Sequence, residues 1–311
     1  MKAEEKGVGC WVPGFGLNQH PEPNTQHPFY RGRLAPSPTG RLHLGHARTF
    51  WAAYERARAA CGVLVLRDED LDPARSRAEF AAAMSEDLRW LGIEWQEGPD
   101  VGGPFGPYRQ SERRGLYLEA WAQLVRSGHV YPCSCSRRDI ARAASAPHEG
   151  HAPQAQTDEP HYPGTCRPAP CAPARAPDTP AGLNWRFRVP DGAEIVFEDL
   201  KQGRQSFVAG RDFGDFVVWR RDDVPAYQLA VVVDDARMRI TEVVRGADLL
   251  KSTARQMLLQ RALGYPTPAY FHCDLLTDER GERLAKRHES LSLRHLRAAG
   301  VTPEEVRARF G

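Results

Sequence analysis

The stretch that decides the fold is Arg33-Leu-Ala-Pro-Ser-Pro-Thr-Gly-Arg-Leu-His-Leu-Gly-His46. Its first half, up to Gly40, has the proline and glycine chemistry of a turn at the end of a strand. Its second half begins at Leu42 and leads into apolar residues at helical spacing. The stretch therefore predicts a strand, a turn and the first turn of a helix.

The start of this predicted helix is suited to binding phosphate. A helix N-terminus presents unpaired amides and the positive end of its dipole to an anion. Gly45 lets a nucleotide approach the backbone closely. His43 and His46 lie close enough together to donate hydrogen bonds to a phosphate chain as charge develops on it. We therefore predict that His43 and His46 are catalytic and that both bind ATP together with Gly45.

The regular elements beyond this stretch alternate between strand and helix. Residues 63–66 form a short apolar run typical of a buried parallel strand. Asp72-Pro73 predicts the start of a second helix, and Ser76 and Glu79 have the spacing of a capping box. This alternation predicts a doubly wound α/β domain.

Further elements are predicted along the rest of the chain. We expect a helix over 111–127, strands near Trp185, a buried strand over 227–233 and a helix that begins at Ser252. One short basic helix is expected in the last 25 residues. Residues 141–183 are rich in Ala, Pro and His, which predicts a flexible excursion.

Bulk composition excludes few functions. The 311 residues carry 42 basic and 40 acidic side chains, so nucleic acid would have to meet a local basic patch. No apolar run approaches the length of a bilayer crossing, and the N-terminus lacks the apolar core of a secretory signal. The seven cysteines are odd in number and partly clustered, which favours a metal site in a reducing cytosol. We expect a cytoplasmic protein, monomeric and without a membrane partner.

Three cysteines have the spacing of a zinc site. Cys133 and Cys135 flank one serine, and Cys166 ends the segment Tyr162-Pro-Gly-Thr-Cys166. Thiolates this close together on a turn are typical zinc ligands, and we predict one structural Zn²⁺ per chain. The fourth ligand stays open, since ordinary zinc chemistry favours a nearby cysteine or histidine: Cys171, His161, His151 or His148.

Several segments together resemble the class I glutamyl-tRNA synthetases. They are residues 33–40 and 43–46, then 67–73, 88–95, 108–113, 227–235 and 243–248. The likeness covers roughly residues 31–295. It implies a Rossmann nucleotide-binding domain of the class I synthetase type with an inserted zinc-containing subdomain. The expected organisation is a disordered tail (1–29), a first Rossmann half (30–125), the insertion (126–200) and a second half with a terminal helix (201–311).

The resemblance also implies the residues that bind glutamate. Arg33 and Arg245 would pair with substrate carboxylate, Glu69 would hold the α-ammonium, and Tyr227 would place its hydroxyl against the amino acid. The backbone that meets the substrate would be that of the segment Leu34, Ala35, Pro36 and Ser37. Judged singly, Glu69 fits a solvated ion pair equally well. Tyr227 equally fits core packing, and Arg245 a surface salt bridge.

A second phosphate-binding element is implied near the end of the chain. Class I enzymes carry a loop whose lysine grips the ATP phosphates, and the matching stretch here is Arg283-Leu-Ala-Lys-Arg287. Ala285 and Arg287 stand where the family has serines. Arg283 and Lys286 keep two positive charges, so we expect both to bind ATP with its Mg²⁺ and Lys286 to act in catalysis.

The sequence looks like a shortened branch of the family, the glutamyl-Q tRNA(Asp) synthetases. Full-length glutamyl-tRNA synthetases continue into an anticodon-binding region, whereas this sequence stops at Gly311. The shortened branch carries C-x-C…Y-x-x-x-C, which implies Tyr162 as the fourth zinc ligand. Its members activate L-glutamate without tRNA and transfer it to queuosine in the anticodon of tRNA(Asp). Two rival functions are a synthetase that charges tRNA(Glu) with a separate anticodon-binding partner, and a non-catalytic RNA-binding relative.

Overall fold

The structure, a computed structural model, describes residues 29–136, 138–140, 161–169, 177–276 and 292–310. The predicted tail lies outside the described residues apart from Phe29. Most of the predicted excursion over 141–183 and the stretch that contains Arg283 and Lys286 also lie outside them.

The described elements are numbered here in chain order. The strands are β1 (Arg31–Leu34), β2 (Val63–Leu66), β3 (Val130–Cys133), β4 (Asn184–Phe187), β5 (Glu194–Asp199), β6 (Gly203–Val208), β7 (Phe216–Trp219), β8 (Glu242–Gly246) and β9 (Ala269–Cys273). The helices are α1 (Leu44–Ala59), α2 (Ala78–Trp90), α3 (Arg114–Arg126), α4 (Tyr227–Arg237), α5 (Leu250–Leu263), α6 (Leu293–Ala298) and α7 (Pro303–Ala308).

The fold is α/β with parallel and antiparallel strands. Strand β1 pairs in parallel with β2, and β8 pairs in parallel with β9. The β5–β6 hairpin extends the β8–β9 sheet through a parallel contact of Asp199 with Tyr270. A separate antiparallel sheet has the order β3-β4-β7. The predicted strand–helix alternation over the first 90 residues is confirmed by β1, α1, β2 and α2.

Two hydrophobic clusters support this arrangement. One joins α1 and α2 to strands β1 and β2 and to the two C-terminal helices, with Leu34, Leu88 and Val306 fully buried. The other joins α3, α4 and α5 to the antiparallel sheet around Trp185 and Trp219. The chain's last described residues therefore pack against its first helices. No helix among the described residues is long and apolar enough to cross a bilayer.

The buried strand predicted over 227–233 is wrong, because this stretch lies in helix α4. Residues 229–233 are at most 1% exposed. The helix packs between α3, α5 and β7, so every face is covered. A short run that is apolar on all sides has the same pattern in a buried helix as in a buried strand. The helical state places Tyr227 in the first turn and Asp234 and Asp235 in the last.

The second helix begins later than predicted. Asp72 forms a turn instead, in which its Oδ1 accepts from Ala74 N at 3.2 Å and its carbonyl accepts from Ser76 N at 2.8 Å. Helix α2 starts at Ala78, and its N-cap Arg77 makes no side-chain capping bond. The predicted capping box of Ser76 and Glu79 is therefore wrong. Local hydrogen bonds of an aspartate compete with helix formation at such positions.

Other helix boundaries differ in smaller ways. The helix predicted over 111–127 begins at Arg114, after a 3-10 turn over Gln110–Glu112. Helix α5 begins at Leu250, two residues before the predicted Ser252. The C-terminal region holds two short helices instead of one. Gly300 separates them with φ of 81°, and Thr302 and Glu305 form a capping box on the second.

Candidate active site

A pocket of about 280 Å³ opens beside the N-terminus of α1. Its lining comes from five separate stretches of the sequence: Arg33, Ala35, His43, Gly45, His46, Thr49, Phe50, Glu69, Tyr227, Val244, Arg245, Gly246, Asp248, Leu249, Asp274, Leu275 and Leu276. A second cavity of about 370 Å³ shares Ala35, His46, Glu69 and Tyr227 with it and continues along the turn after β1.

Most of the predicted ligand-binding residues meet at these two cavities. The first contains Arg33, Ala35, Glu69, Tyr227 and Arg245 together with His43, Gly45 and His46. Pro36 and Ser37 line the second. Leu34 does not join them: its side chain is 0% exposed within the core, and its carbonyl accepts from Arg67 N at 2.8 Å. Successive residues of a strand point to opposite faces, which separates Leu34 from Arg33.

His43 caps helix α1 through its ring. Its Nδ1 accepts from Gly45 N at 3.1 Å and from His46 N at 3.4 Å, so the ring proton lies on Nε2. The first turn of α1 contains no acidic residue, which leaves the positive end of the helix dipole open to an anion. Gly45 also leaves room for the capping ring, which the sequence did not reveal. A Cβ at this position would stand 3.0 Å from His43 Cε1.

The two motif histidines stack on one another and stay neutral. Their ring centroids are 3.6 Å apart. Burial lowers the pKa of His43. The surrounding protein, with a smaller contribution from His43, lowers the pKa of His46 to about 4. At neutral pH both rings are therefore hydrogen-bond donors without a full charge, which suits contact with phosphate oxygens whose charge increases during reaction.

Glu69 reaches the pocket from a buried ion network. Arg67 is 0% exposed, and its Nη2 donates to Glu69 Oε1 at 3.0 Å while its Nη1 donates to Asp235 Oδ1 at 2.7 Å. Burial raises the pKa of Glu69, and the Arg67 charge opposes that rise. Glu69 thus forms an ion pair, but the pair is buried rather than solvated, and it holds the Glu69 carboxylate at the pocket wall.

Asp234 is the centre of this network, and the sequence reasoning did not single it out. Its carboxylate accepts from Arg113 Nε at 2.6 Å, from Gln110 Nε2 at 2.7 Å and from Tyr117 Oη at 2.9 Å. Arg67 Nε lies 3.8 Å from its Oδ2. The two adjacent acids at the end of the segment, Asp234 and Asp235, were visible in the sequence. Their joint burial follows from the helical state of α4.

Among the described residues, the Arg33 guanidinium makes one hydrogen bond. Its Nη1 donates to Val244 O at 2.6 Å, which ties the end of β1 to β8. Its Nε lies 3.9 Å from Asp235 Oδ1 and has no hydrogen-bond partner among the described residues. A buried guanidinium with an unused donor at a pocket wall is suited to a substrate carboxylate.

Arg245 is buried among neutral acceptors. Its Nη1 donates to Gln256 Oε1 at 2.8 Å, its Nη2 to Thr253 Oγ1 at 2.6 Å and its Nε to His272 Nε2 at 3.1 Å. The residue is 4% exposed, so the surface salt bridge considered from sequence does not apply to it. Arg33, Arg67 and Arg113 lie beside the carboxylates of Glu69, Asp234 and Asp235. Among the described residues, no carboxylate pairs directly with Arg245.

Tyr227 lines both cavities, as the sequence-based prediction requires. It is the first residue of α4, and its side chain is 37% exposed. Core packing therefore does not account for it, although the next turns of the same helix are buried. The helix N-terminus directs the ring out of the core and toward Glu69.

The stretch with Arg283 and Lys286 joins two points at the pocket. Leu276, just before it, lines the first cavity. Ser292, just after it, pairs with His43 in a β-bridge, and Leu293 N donates to Leu42 O at 2.9 Å. Arg283 and Lys286 themselves lie outside the described residues. Their predicted contact with ATP stays a prediction.

The predicted metal ligands assemble into one cluster. The Sγ atoms of Cys133, Cys135 and Cys166 all lie within 4.8 Å of one another, and those of Cys135 and Cys166 are 3.5 Å apart. Zinc–sulfur bonds of about 2.3 Å in a tetrahedron separate two sulfurs by about 3.8 Å, so these thiols fit such an ion. Among the described residues, this is the one group of three His, Cys, Asp or Glu ligands.

The hydroxyl of Tyr162 lies beside these thiols. Its Oη lies 3.4 Å from Cys133 Sγ and 3.8 Å from Cys135 Sγ, and it accepts from Cys166 N at 2.7 Å. His161 is not part of the cluster and packs against Gly214. The remaining candidates for the fourth ligand, Cys171, His148 and His151, lie outside the described residues. The donor set thus fits three thiolates and a phenol oxygen.

A buried arginine, which the sequence reasoning missed, supports this cluster. Arg186 Nε donates to Cys133 Sγ at 3.3 Å, and its guanidinium lies 3.9 Å from the centroid of the Tyr162 ring. Its position on β4 follows from antiparallel pairing with Tyr131 on β3. Arg186 thus places a positive charge beside the thiol cluster.

Comparison with known proteins agrees with this geometry. Residues 30–310 match the family model described as tRNA synthetases class I (E and Q), catalytic domain. The chain is 53% identical over 276 residues to the glutamyl-Q tRNA(Asp) synthetase of Symbiobacterium thermophilum, covering 88% of this chain and 83% of the relative. It is 50% identical over 279 residues to the protein of that name from Nitratidesulfovibrio vulgaris, covering 89% and 83%.

Longer relatives and a solved structure show the same likeness. Glutamate–tRNA ligase 2 of Nitrosococcus oceani is 46% identical over 88% of this chain, which spans 57% of that protein. The crystal structure of glutamate–tRNA synthetase from Elizabethkingia anophelis aligns with a TM-score of 0.70 at 30% identity, covering 83% of this chain and 53% of the other. These matches agree with the phosphate-binding start of α1 and with the buried Arg33 and Arg245 at the pocket. The chain therefore belongs to the class I tRNA synthetases of the E and Q type, as a catalytic domain of these enzymes.

Proposed function

We propose that this enzyme activates L-glutamate with ATP in the absence of tRNA and transfers the glutamyl group to queuosine in the anticodon of tRNA(Asp). The observation that carries the first part is the meeting of Arg33, Arg245, Glu69 and Tyr227 at one pocket beside His43 and His46. Support for the second part comes from the two relatives at 50% identity or more that bear this name.

The pocket can hold a dicarboxylic amino acid by its charges. Arg33 and Arg245 offer guanidinium donors to the carboxylates, and Glu69 offers a carboxylate to the α-ammonium. The backbone at Ala35, Pro36 and Ser37 lies along the continuation of the cavity. Two guanidinium groups at one pocket suit a substrate with two carboxylates better than an amino acid with a single carboxylate.

Activation then needs positioning rather than a protein nucleophile. A carboxylate oxygen of glutamate attacks the α-phosphorus of ATP, and pyrophosphate leaves. The Nε2–H of His43 would donate to phosphate oxygens at the positive end of the α1 dipole, with His46 stacked beside it. In the second step a hydroxyl of queuosine attacks the glutamyl carbonyl, and AMP leaves.

Arg283 and Lys286 would add positive charge at the phosphates. Leu276, before their stretch, lines the pocket, and Ser292, after it, pairs with the pocket residue His43. Mg²⁺ would arrive with ATP, because magnesium commonly binds through substrate phosphates. Apart from the thiol cluster, the described residues form no three-ligand group for it.

The thiol cluster would hold a structural zinc ion. Cys133 ends strand β3 with Cys135 just beyond it, and Cys166 and Tyr162 come from the described segment 161–169. A metal here would tie that segment to the β3-β4-β7 sheet. This is the structural role that we propose for zinc in the inserted subdomain, residues 126–200. The Rossmann halves proposed on either side are residues 30–125 and 201–311.

One experiment separates the proposed function from its rivals. Glutamate-dependent exchange of pyrophosphate into ATP is measured without tRNA, and labelled glutamate is then offered with tRNA(Asp) that carries or lacks queuosine. We expect exchange without tRNA, and labelling only of queuosine-containing tRNA(Asp). Exchange is also measured with tRNA(Glu) added. Exchange that appears only with tRNA(Glu) would instead indicate an ordinary glutamyl-tRNA synthetase. The absence of exchange with either tRNA would indicate an RNA-binding relative.

A further inference from the structure

A buried carboxylate–histidine pair stands behind Arg245. His272 on β9 and Asp199 at the end of β5 have fully buried side chains, and neither lines the pocket. His272 Nδ1 lies 2.5 Å from Asp199 Oδ2, and its Nε2 accepts from Arg245 Nε at 3.1 Å. The parallel pairing of β8 with β9 places Arg245 directly opposite His272. The chain Asp199–His272–Arg245 thus runs from the sheet interior to the pocket wall.

The direction of each hydrogen bond in this chain is fixed. A carboxylate can only accept, so His272 donates from Nδ1, and its Nε2 is left with a lone pair. Burial, followed by the charge of Arg245, lowers the pKa of His272 to about 4, so the ring is neutral at physiological pH. A neutral ring with Nε2 as acceptor is the one form that can receive the Arg245 Nε–H.

Asp199 is itself held in one orientation. Its Oδ1 accepts from the amides of Lys201 at 3.0 Å, Gln202 at 2.8 Å and His272 at 3.2 Å. These bonds keep the carboxylate charged: they and the His272 bond more than offset the effect of burial, so the pKa of Asp199 is lowered. Oδ2 is therefore directed at the His272 ring.

This arrangement positions Arg245 without neutralising it. A carboxylate next to Arg245 would hold it as firmly but would compete with a substrate carboxylate. The acceptors seen here are neutral groups of Gln256, Thr253 and His272. The nearest negative charge in this chain of hydrogen bonds is that of Asp199, on the far side of His272. The orientation of the Arg245 guanidinium is therefore fixed, while its positive charge remains available to bind a substrate carboxylate.

We propose that Asp199 and His272 are positioning residues that hold Arg245 for the side-chain carboxylate of glutamate and so set the preference for glutamate over glutamine. This inference rests on the proposed function. The α-carboxylate of glutamate has to remain free to attack ATP near His43. The firmly held Arg245 is therefore assigned to the side-chain carboxylate. An amide at the same place would leave the buried charge of Arg245 without a partner, which disfavours glutamine.

The test measures glutamate and glutamine binding by calorimetry for the wild type and four variants. His272→Leu removes the acceptor. Asp199→Asn leaves its oxygen with the three amides and turns its NH₂ toward His272, which forces the ring proton onto Nε2, facing Arg245. We expect both variants to weaken glutamate binding by about tenfold or more, with glutamine binding changed by less than about threefold. His272→Gln places an amide oxygen near the Nε2 position and should restore most of the affinity for glutamate.

Tyr30→Phe is the matched control, since it removes another carboxylate hydrogen bond, to Glu242 on β8, away from the pocket. It should leave the glutamate-to-glutamine ratio unchanged. If the leucine variant does not fold, ¹⁵N-histidine spectra of the wild type still decide. They should show His272, identified by its loss in His272→Gln, as neutral and protonated on Nδ1.

The outcomes separate this inference from the proposed function. Wild-type selectivity for glutamate that survives in His272→Leu and Asp199→Asn would overturn the positioning role alone. A His272 ring protonated on Nε2 would overturn it as well. Failure of the wild type to bind glutamate would overturn both the positioning role and the proposed function.

Discussion

Arg67 and Asp235 form a buried ion pair, with 2.7 Å between Nη1 and Oδ1, which joins the residue after β2 to the last turn of α4. The same guanidinium holds Glu69 at the pocket wall. This pair thus connects the stability of the fold to the position of a residue proposed to bind substrate. The pair depends on the helical state of α4, which places Asp235 against Arg67.

Arg67→Met should destabilise the protein strongly. The change leaves Glu69, Asp234 and Asp235 close together without their shared cation, and breaking a buried ion pair from one side costs about 3–5 kcal/mol. Urea unfolding at neutral pH measures the change in free energy. Arg77→Met is the control, because its pair with Glu79 is two-thirds exposed on both sides and should contribute less than about 1 kcal/mol. Equal effects of the two changes would contradict the buried-pair assignment.

His46→Ala should lower the rate of glutamate-dependent ATP–pyrophosphate exchange by about 100-fold, as expected for a lost donor to the reacting phosphate. Because His46 is proposed to contact phosphate and not the amino acid, the KM for glutamate should change little. His295→Ala removes a histidine from the exposed face of α6 and is the control. A loss confined to the KM for glutamate would place His46 in amino-acid binding instead.

Lys286→Ala should also reduce exchange strongly, by about 100-fold, since it removes a positive charge from the proposed phosphate contact. The KM for ATP is measured alongside the rate. Arg126→Ala is a control that deletes an exposed cation from the last turn of α3. Near-normal exchange in the lysine variant would remove Lys286 from the mechanism.

The cysteine cluster should bind about one zinc ion per chain, measured by elemental analysis of protein purified without chelator. Cys135→Ser should lose the metal, whereas Cys61→Ser, an exposed cysteine outside the cluster, should retain it. Tyr162→Phe should keep the thiolates but release zinc at lower chelator concentration. Unchanged release from the phenylalanine variant would exclude Tyr162 and leave Cys171 or a histidine as the fourth ligand.

Asp87 should make stability fall as pH rises from about 4 to about 6. Burial raises its pKa from 3.8 to about 6, and its Oδ2 has no hydrogen-bond partner among the described residues. Between these values the folded chain binds a proton that the unfolded chain has lost, so unfolding becomes easier as pH increases. Asp87→Asn should remove this effect and be more stable than the wild type at pH 7 by about 2 kcal/mol. Urea unfolding across this pH range tests it; parallel curves for the two proteins would contradict the prediction.

The sequence by itself determined the elements whose signals are local. The turn after β1, the helix start at Leu44 and the thiol pair at Cys133 and Cys135 are each written in adjacent residues, because turn, cap and chelate geometries span only a few positions. Strand β2 followed from a short apolar run, and the resemblance supplied the candidate residues of the pocket.

Only the tertiary structure decided features that depend on contacts between distant segments. The 227–233 run became a helix because α3, α5 and β7 cover it on every side. Strand alternation sent Leu34 into the core while Arg33 faces the pocket. Sheet pairing brought His272 against Arg245, and chain packing brought the Tyr162 hydroxyl to the thiols. The physical reason is the same in each case: burial and hydrogen-bond partners are set by neighbours in space, which periodicity along one chain does not specify.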